Sequence, residues 1–252
     1  MPPTAADRYL DLMKKVLTGT LVEAEPDVDD PAYVKSFLAH YIRGHALTMT
    51  PRVRLDNARA CIEDAIARGV PGDLLEAGVW RGGMAIFLRA VLAAHGVTDR
   101  RVWVADSFQG LPEPDAGAFP LEARAHASRM MTEDCAHFAV SEADVRDSFA
   151  AFGLLDDQVR FLVGWFKDTL PAAPIDRLAV LRLDGDYYES TMDTLTALYD
   201  RVSPGGYVII DDYRERLWTY CRRAVDEFRE QRGIAAELVA VDTRCYFWRI
   251  PG

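Results

Sequence analysis

The stretch LLEAGVWRGG (74–83) decides the fold, because an apolar run passes through a glycine-containing turn into a helical pattern. From Leu74 onward, short β-rich runs alternate with amphipathic stretches, which is the pattern of crossover units in a mainly parallel sheet. Runs such as LAVL and YVII suit central strands covered on both faces. The sequence therefore predicts an α/β fold. The predicted strands are LLEAGV (74–79), RVWVAD (101–106), VRFLVG (159–164), LAVLRLD (178–184) and YVIIDD (207–212).

Two further runs, ELVAVD (237–242) and CYFWRI (245–250), are separated only by Thr243 and Arg244. That is hairpin spacing, so we expect an antiparallel pair at one edge of a seven-stranded sheet. Helices fill the gaps between strands. They are predicted at 83–95, 190–201, 215–232, and from Ser141, with Asp144 three residues on as a partial capping box, to Gly153.

Two regions lie outside this alternation. Residues 1–70 are predicted to be helices packed outside the sheet, with a break at DVDDP (27–31), and 71–252 to form the main domain. The stretch 107–140 is too long for a simple connection and contains three prolines, so we interpret it as an insertion over the functional site.

Composition excludes several classes of function. The chain has 252 residues, a formal charge of −10 and a mean hydropathy of −0.08. This acidity disfavours a nucleic-acid or anionic-membrane partner. The first residues have no apolar signal core and no stretch is long enough to span a membrane, so we expect a cytoplasmic protein. Cysteines 61, 135, 221 and 245 lack zinc spacing and are predicted to be reduced.

The first turn, EAGVWRGG (76–83), has Trp80 where a dinucleotide-binding G-x-G-x-x-G would need its second glycine. A diphosphate cofactor is therefore disfavoured. S-adenosylmethionine has no phosphates; Glu76, Gly78 and the Gly82-Gly83 pair can line its methionine end, and Asp106 at the end of the second strand is placed for the ribose hydroxyls. Tight packing alone would explain a lone glycine-rich turn, and a helix cap would explain Asp106 alone.

Four aspartates follow the fourth and fifth predicted strands: Asp184, Asp186, Asp211 and Asp212. Strand ends meet at one edge of such a sheet, so these negative charges converge and need a cation. Mg²⁺ prefers such oxygen ligands. We expect Asp184, Asp211 and Asp212 to bind the metal and Asp186 to be the general base. The alternative is that all four simply cap the helices that follow.

Other side chains have both a functional and a packing interpretation. Trp165 follows the third strand and could stack on an adenine, or be an ordinary buried aromatic. Arg81 could approach the cofactor's carboxylate, or be a solvated arginine. No catalytic role is assigned to the histidines, which are at 40, 45, 95, 126 and 137.

With these residues in view, the chain resembles the macrocin O-methyltransferase family, sugar methyltransferases of antibiotic biosynthesis. The resemblance covers nearly the whole chain. The stretches that carry it are RYLDLMKK (8–15), GDLLEAGVWRGG (72–83), VWVADSFQGLP (102–112), FGLLDDQVRFL (152–162), GWFKDTLP (164–171), LDGDYYESTMD (183–193) and SPGGYVIIDDY (203–213).

The resemblance implies a class I methyltransferase fold, S-adenosylmethionine and Mg²⁺, and a homo-oligomer, dimer or tetramer, whose N-terminal helices close over the site. It assigns Asp184, Asp211 and Asp212 to the metal and Asp186 as the base. Ser107 joins Asp106 in the family's ribose-binding DSFQG. The stretch HALTMTPRV (45–53) departs from the family pattern. Within it, Met49 and Thr50 are assigned as cofactor or lid contacts. The cofactor contacts expected are Glu76, Gly78, Trp80, Arg81, Gly82, Asp106, Ser107, Trp165 and Met49.

These observations favour an enzyme that methylates a hydroxyl of a deoxysugar on a natural product. The segment 113–140 matches the family poorly, and there the acceptor should be selected. A catechol-like aromatic diol is an alternative acceptor, because a metal chelates that pair of oxygens too. A non-catalytic cofactor-binding scaffold is a further alternative, although it would gain nothing from repelling carboxylates.

Overall fold

A computed structural model describes residues 2–26, 32–128, 138–214 and 219–252. The strands in these ranges are β1 Asp73–Ala77, β2 Val102–Asp106, β3 Val159–Val163, β4 Leu178–Leu183, β5 Val202–Ile210, β6 Val239–Ala240 and β7 Tyr246–Arg249. They form one seven-stranded sheet in the order β3-β2-β1-β4-β5-β7-β6. Strands β1 to β5 are parallel, and β7 pairs antiparallel with both β5 and β6. The predicted parallel sheet with an antiparallel edge hairpin is confirmed.

Helices cover both faces of this sheet. Those predicted after the first, fourth and fifth strands are found, although four residues at the expected start of the last one, 215–218, lie outside the described ranges. The DVDDP break and residues 129–137 of the insertion also lie outside them. The helices are α1 Ala5–Leu17, α2 Tyr33–Phe37 with a π-helical continuation Leu38–Ile42, α3 Arg52–Ala67, α4 Gly83–Ala94, α5 Pro120–His126, α6 Glu142–Ala151, α7 Phe166–Thr169, α8 Tyr188–Leu198 with a 3₁₀ turn Tyr199–Arg201, and α9 Thr219–Gln231.

The N-terminal helices share the hydrophobic core of the sheet. Leu10 of α1 and Leu55 of α3 are fully buried in one cluster with Phe87 of α4 and Val104 of β2. A second cluster, which includes the fully buried Trp248, fills the opposite face. Strand β4 is buried along its whole length, as its apolar run predicts. The carboxyl ends of β1, β4 and β5 therefore open at one edge of a rigid sheet, where the candidate site lies.

The cysteines and the helix lengths test two further predictions from the sequence. Cys61, Cys221 and Cys245 are buried free thiols, as expected, and Cys135 is outside the described ranges. In those ranges no helix is both long and apolar enough to cross a bilayer.

Helix α6 begins as its sequence predicts. The Ser141 hydroxyl accepts the Asp144 N–H at 3.2 Å, so it satisfies a backbone donor that has no partner within the helix. Ser141→Ala should lower the free energy of unfolding by about 1 kcal/mol, measured by urea denaturation. Ser148→Ala is the matched control, because that exposed hydroxyl only bonds the Asp144 carbonyl. An equal loss in both variants would contradict the capping role.

Candidate active site

The predicted metal-binding aspartates lie together at the ends of β4 and β5. One carboxylate oxygen from each of Asp184, Asp211 and Asp212 lies within 4.8 Å of the others. Asp211 and Asp212 are buried and Asp184 is half-buried. The backbone N–H of Asp186 donates to Asp212 Oδ2 at 3.3 Å, which places the predicted base beside them. Parallel strand ends converge here, as the sequence argument requires.

A buried arginine that the sequence analysis did not single out lies behind this cluster. Arg182 is 1% exposed, and its Nη1 donates to Glu76 and, at 2.9 Å, to Asp184. Its Nη2 donates to Asp211 at 2.5 Å and to the Thr50 hydroxyl at 3.0 Å. One guanidinium therefore joins the ends of β1, β4 and β5.

A second arginine reaches the cluster from α3. Arg54 donates to Asp211 Oδ2 at 2.5 Å and to Asp242, in the β6–β7 hairpin, at 2.6 Å. Asp211 therefore has an arginine on each oxygen, whereas Asp212 has no arginine partner within the described ranges. Arginines from β4 and α3 thus compensate part of the negative charge at this edge, and Asp212 is the predicted metal ligand that neither arginine contacts.

The two guanidinium groups do not neutralise the carboxylates that surround them. Burial, together with the charge of Asp211, raises the pKa of Asp184 to about 6 although Arg182 lies beside it. Burial and the charges of Asp186, Asp184 and Asp211 raise the pKa of Asp212 well above its usual value. A hard cation would relieve this excess negative charge, and three carboxylates are a donor set that Mg²⁺ prefers. The residues present therefore fit a divalent cation.

Asp186 has an unusual backbone. Its φ of +59° is in the left-handed region, which a non-glycine residue seldom adopts and which costs free energy unless neighbouring groups hold it. The chain therefore turns at Asp186, shortly after β4.

The glycine turn after β1 is tied to the same cluster. Gly78 has a φ of +89°, and a Cβ there would lie 1.8 Å from the Asp184 carbonyl oxygen. Only glycine permits this approach of the β1 and β4 ends. At Gly83, the first residue of α4, a Cβ would lie 2.5 Å from the Leu47 carbonyl oxygen. Tight packing thus explains these glycines, and it also places the predicted cofactor turn beside the carboxylates.

Glu76 lies on β1 opposite Arg182 on β4. Its side chain is buried, and burial raises its pKa to about 8 despite the arginine. Oε1 accepts from Arg182, while Oε2 has no hydrogen-bond partner in the described part of the chain. A buried acceptor without a donor is costly. Glu76 is therefore suited to a ligand that brings a donor, such as the ammonium group of S-adenosylmethionine.

Asp106 and Ser107 hold the loop after β2. The Asp106 carboxylate accepts the Val79 N–H at 2.7 Å and the Phe108 N–H at 2.8 Å. The Ser107 hydroxyl donates to the Gly110 carbonyl at 2.9 Å. The Trp80 N–H is a further donor to this carboxylate, so the Asp106 side chain is held by the β1 turn and by its own loop. Its contact with the cofactor stays a prediction, as does that of Ser107.

Arg81 is bound to the N-terminal region. Its guanidinium donates to the carbonyl oxygens of Tyr41, Ile42, Gly44 and Ala46 at 2.9–3.2 Å. It thereby satisfies carbonyl groups at the end of the π-helical turn, which have no partner inside that helix. A bond from Arg81 to the cofactor's carboxylate stays a prediction.

The remaining predicted contacts surround this turn. Trp80 and Met49 pack against a small buried cluster of Leu38, Ile42 and Tyr187. Gly82, with a φ of +84°, precedes α4. Trp165 is half-buried before α7, next to the strand end that bears Asp106, since the Gly164 N–H donates to the Asp106 carbonyl. Their positions are compatible with the predicted cofactor contacts, which stay predictions.

Helix α5, in the predicted insertion, contacts the segment that follows Asp186. Glu122 is 1% exposed and accepts the Tyr188 N–H at 3.0 Å, while its Oε2 has no partner among the described residues. His126 Nδ1 lies 2.8 Å from the Tyr187 hydroxyl. Sequence reasoning missed these residues, because no local pattern connects 122 or 126 to 187.

Glu122 leads to a prediction about pH. Burial raises its pKa to about 7, so its ionisation destabilises the folded chain as pH rises from the usual glutamate pKa through that value. Glu122→Gln should therefore raise the free energy of unfolding, relative to wild type, by about 1–3 kcal/mol more at about pH 8 than at about pH 5. Urea denaturation at both pH values measures this. Glu113→Gln is the control because Glu113 is exposed on the same segment, and a pH-independent difference for Glu122→Gln would contradict the prediction.

Two O-methyltransferases align with nearly the whole chain. The demethyldecarbamoylnovobiocin O-methyltransferase of Streptomyces niveus is 49% identical over 96% of this chain and 92% of its own length. The 8-demethyl-8-(2,3-dimethoxy-α-L-rhamnosyl)-tetracenomycin-C 4′-O-methyltransferase of Streptomyces olivaceus is 50% identical over 99% and 95%. Both alignments therefore extend over nearly the whole length of this chain and of the relative.

A solved structure agrees with these relatives. That of the O-methyltransferase NovP is similar with a TM-score of 0.84 and 48% identity, over 98% of this chain and 100% of that chain. This likeness confirms the predicted class I S-adenosylmethionine-dependent methyltransferase fold. The macrocin-O-methyltransferase (TylF) family pattern matches residues 39–250, which include every strand and every site residue described above. The chain belongs to the macrocin O-methyltransferase family.

Proposed function

We propose that this protein transfers a methyl group from S-adenosylmethionine to a hydroxyl of a sugar on a natural product, and that it requires Mg²⁺. The observation that carries the proposal is the cluster of Asp184, Asp211 and Asp212, which lies against the cofactor turn through Gly78. The family and fold support methyl transfer, and the carboxylates support a metal that presents the acceptor.

The cofactor would lie across the ends of β1, β2 and β3. Bound S-adenosylmethionine supplies an electrophilic methyl group on a positively charged sulfur. Glu76 would accept from its ammonium group, Asp106 would hold the ribose hydroxyls, and Trp165 would border the adenine. Trp80 and Met49 would exclude water from the methionine end, because they pack on the buried cluster around Tyr187. These residues orient the donor, and alignment is a large part of such a displacement.

The metal would be held by Asp184, Asp211 and Asp212. A bound Mg²⁺ supplies positive charge that orients a hydroxyl pair of the acceptor and lowers its pKa. Arg182 and Arg54 fix Asp211 from both sides, so this ligand is oriented before any ion binds. Asp186, whose N–H donates to Asp212, would accept the proton of the reacting hydroxyl.

The acceptor class rests on the relatives. One is named for a rhamnosyl-tetracenomycin and another for demethyldecarbamoylnovobiocin, and a sugar hydroxyl is the acceptor that we propose. A catechol-like diol is the second candidate, because the same carboxylate cluster would suit a chelated pair of aromatic hydroxyls. A non-catalytic scaffold is disfavoured by the unneutralised carboxylates.

A further part of the proposal is that the protein is a cytoplasmic homo-oligomer in which the N-terminal helices close over the site. Exposed apolar side chains on these helices support it. Tyr9 and Leu12 on α1 are 36% and 51% exposed, and Val53 on α3 is 46% exposed. Light scattering of the purified protein measures the oligomeric state, and a monomer at working concentration would contradict this part alone.

Activity is tested with purified protein, S-adenosylmethionine and Mg²⁺ against a panel of glycosylated natural products and catechols. We expect S-adenosylhomocysteine and a product heavier by one methyl group with a glycosylated acceptor, and loss of both after chelation with EDTA. Restored activity on adding Mg²⁺ confirms that EDTA acted through the metal. Methylation of catechols alone would overturn the acceptor class, and full activity in EDTA would overturn the metal.

Metal binding is measured separately from activity. Isothermal titration with Mg²⁺ should give one binding event that is lost in Asp212→Asn. Asp200→Asn is the control, because Asp200 is an exposed carboxylate paired with Arg232 on the surface. Unchanged binding in Asp212→Asn would contradict the assigned ligands.

A further inference from the structure

One face of α5 lies on the turn that carries Asp186. Glu122 and His126 are four residues apart on α5, so they share a side of the helix, and Phe119 is the residue directly before its first turn. All three contact Tyr187 or Tyr188, the two residues directly after Asp186. The insertion and the proposed base are therefore in contact through a single segment.

Each of these contacts is specific. The Phe119 ring stacks on that of Tyr188 with centroids 4.7 Å apart. Glu122 Oε1 accepts the Tyr188 N–H at 3.0 Å, and His126 Nδ1 lies 2.8 Å from the Tyr187 hydroxyl. Glu122 and Tyr187 are each 1% exposed, so water does not substitute for either partner.

The turn needs this support. Asp186 has a φ of +59°, a strained conformation for a residue with a side chain, and such conformations persist only where the surroundings hold them. Before it, Asp184 is held by Arg182. After it, Tyr187 packs in the buried cluster with Leu38 and Ile42, and α5 binds both tyrosines. The direction of the Asp186 carboxylate therefore depends on how firmly residues 187 and 188 are held.

We propose that Glu122 and His126 are positioning residues that hold the Tyr187–Tyr188 segment and thereby orient the carboxylate of Asp186. This inference rests on the proposed function, in which Asp186 is the base. Because α5 belongs to the insertion that is predicted to lie over the acceptor, the two residues would couple the placement of that insertion to the geometry of proton removal. Neither residue contacts the reacting atoms.

The first test compares two replacements of Glu122. Glu122→Ala removes the acceptor for the Tyr188 N–H and should lower kcat by about tenfold to a hundredfold, since misplacement of a reacting group on this scale has such effects. Glu122→Gln keeps a carbonyl oxygen in the same place and should stay within about threefold of wild type. The KM for S-adenosylmethionine should not change in either variant. Rescue by glutamine separates the hydrogen bond from the negative charge.

The second test is a double-mutant cycle. His126→Phe and Tyr187→Phe each remove one partner of the same hydrogen bond while keeping a ring. Each should lower kcat by about fivefold to tenfold, and the double variant should be no slower than the slower single variant, because coupled residues do not act additively. Multiplied effects in the double variant would contradict a shared positioning role.

Two controls keep the tests interpretable. Glu113→Gln makes the same charge change at an exposed position of the same segment and should leave kcat unchanged. Calorimetric titration of S-adenosylmethionine and circular dichroism of each variant show whether the cofactor site and fold persist. If the Glu122→Ala protein does not fold, the double-mutant cycle of His126 and Tyr187 tests the positioning role by itself.

The outcomes separate this inference from the proposed function. If Asp186→Asn remains fully active, the base assignment is wrong and the positioning inference fails with it. If Asp186→Asn is inactive while folded Glu122→Ala, His126→Phe and Tyr187→Phe all retain wild-type kcat, only the positioning inference is overturned. Loss of kcat with unchanged cofactor affinity and rescue by glutamine supports it.

Discussion

Asp186→Asn should lower kcat for methyl transfer by about 10²- to 10⁴-fold, the range for loss of a general base. Asparagine is nearly isosteric and is one of the few residues that tolerates a left-handed backbone, so the φ of +59° should persist. The substitution therefore removes the proton acceptor and little else. The rate of S-adenosylhomocysteine formation at saturating substrates measures kcat, and the KM for S-adenosylmethionine should stay the same.

A matched control for this variant is Asp168→Asn, because Asp168 is an exposed aspartate on α7. It should retain wild-type kcat. Asp186→Asn with wild-type turnover, in protein that still binds the cofactor, would show that another group or water accepts the proton. That result would leave the fold and family unchanged.

Arg182→Met should lower the free energy of unfolding by about 3–5 kcal/mol, the usual cost of removing one partner from a buried ion cluster. Arg182 is 1% exposed and donates to Glu76, Asp184 and Asp211; methionine would leave the first two without an arginine partner and Asp211 with Arg54 alone. Methionine has a similar length and fills the volume, so packing loss contributes little. Urea denaturation followed by circular dichroism, with EDTA present, measures the change.

The control for that prediction is Arg223→Met on α9. Arg223 pairs with Glu227 at 2.8 Å, but both side chains are substantially exposed, and such surface pairs contribute about 0–1 kcal/mol. A comparable loss in both variants would show that burial of Arg182 is not the cause. An Arg182→Met protein as stable as wild type would contradict the prediction. It would mean that the carboxylates around Arg182 become protonated or move apart without lowering the free energy of unfolding.

The strand pattern and the strand-end aspartates could be predicted from the sequence, because both are local features. Apolar runs of strand length alternate with amphipathic runs of helical length, so the sheet follows from short-range patterning. The clustering of Asp184 with Asp211 then follows from topology alone, since parallel neighbouring strands end at one edge. Their assignment to a metal stays a prediction.

Arg182 was in principle visible and was missed. A charged residue within the otherwise apolar LAVLRLD needs a buried partner, because an unpaired buried charge is too costly. The sequence does not show which partner it has. Arg54 offered no signal at all, because an arginine in an amphipathic helix is ordinarily solvated.

By itself the sequence determined the order of elements, the glycine turn, and the presence of carboxylates at consecutive strand ends. Only the tertiary structure decided which groups neutralise those carboxylates, that the bend falls on Asp186, and that α5 supports the segment after it. The reason is physical: periodicity and turn chemistry act between near neighbours in the chain. Burial and ion pairing instead join groups such as Glu122 and Tyr188, which are 66 residues apart and meet only when the core has formed.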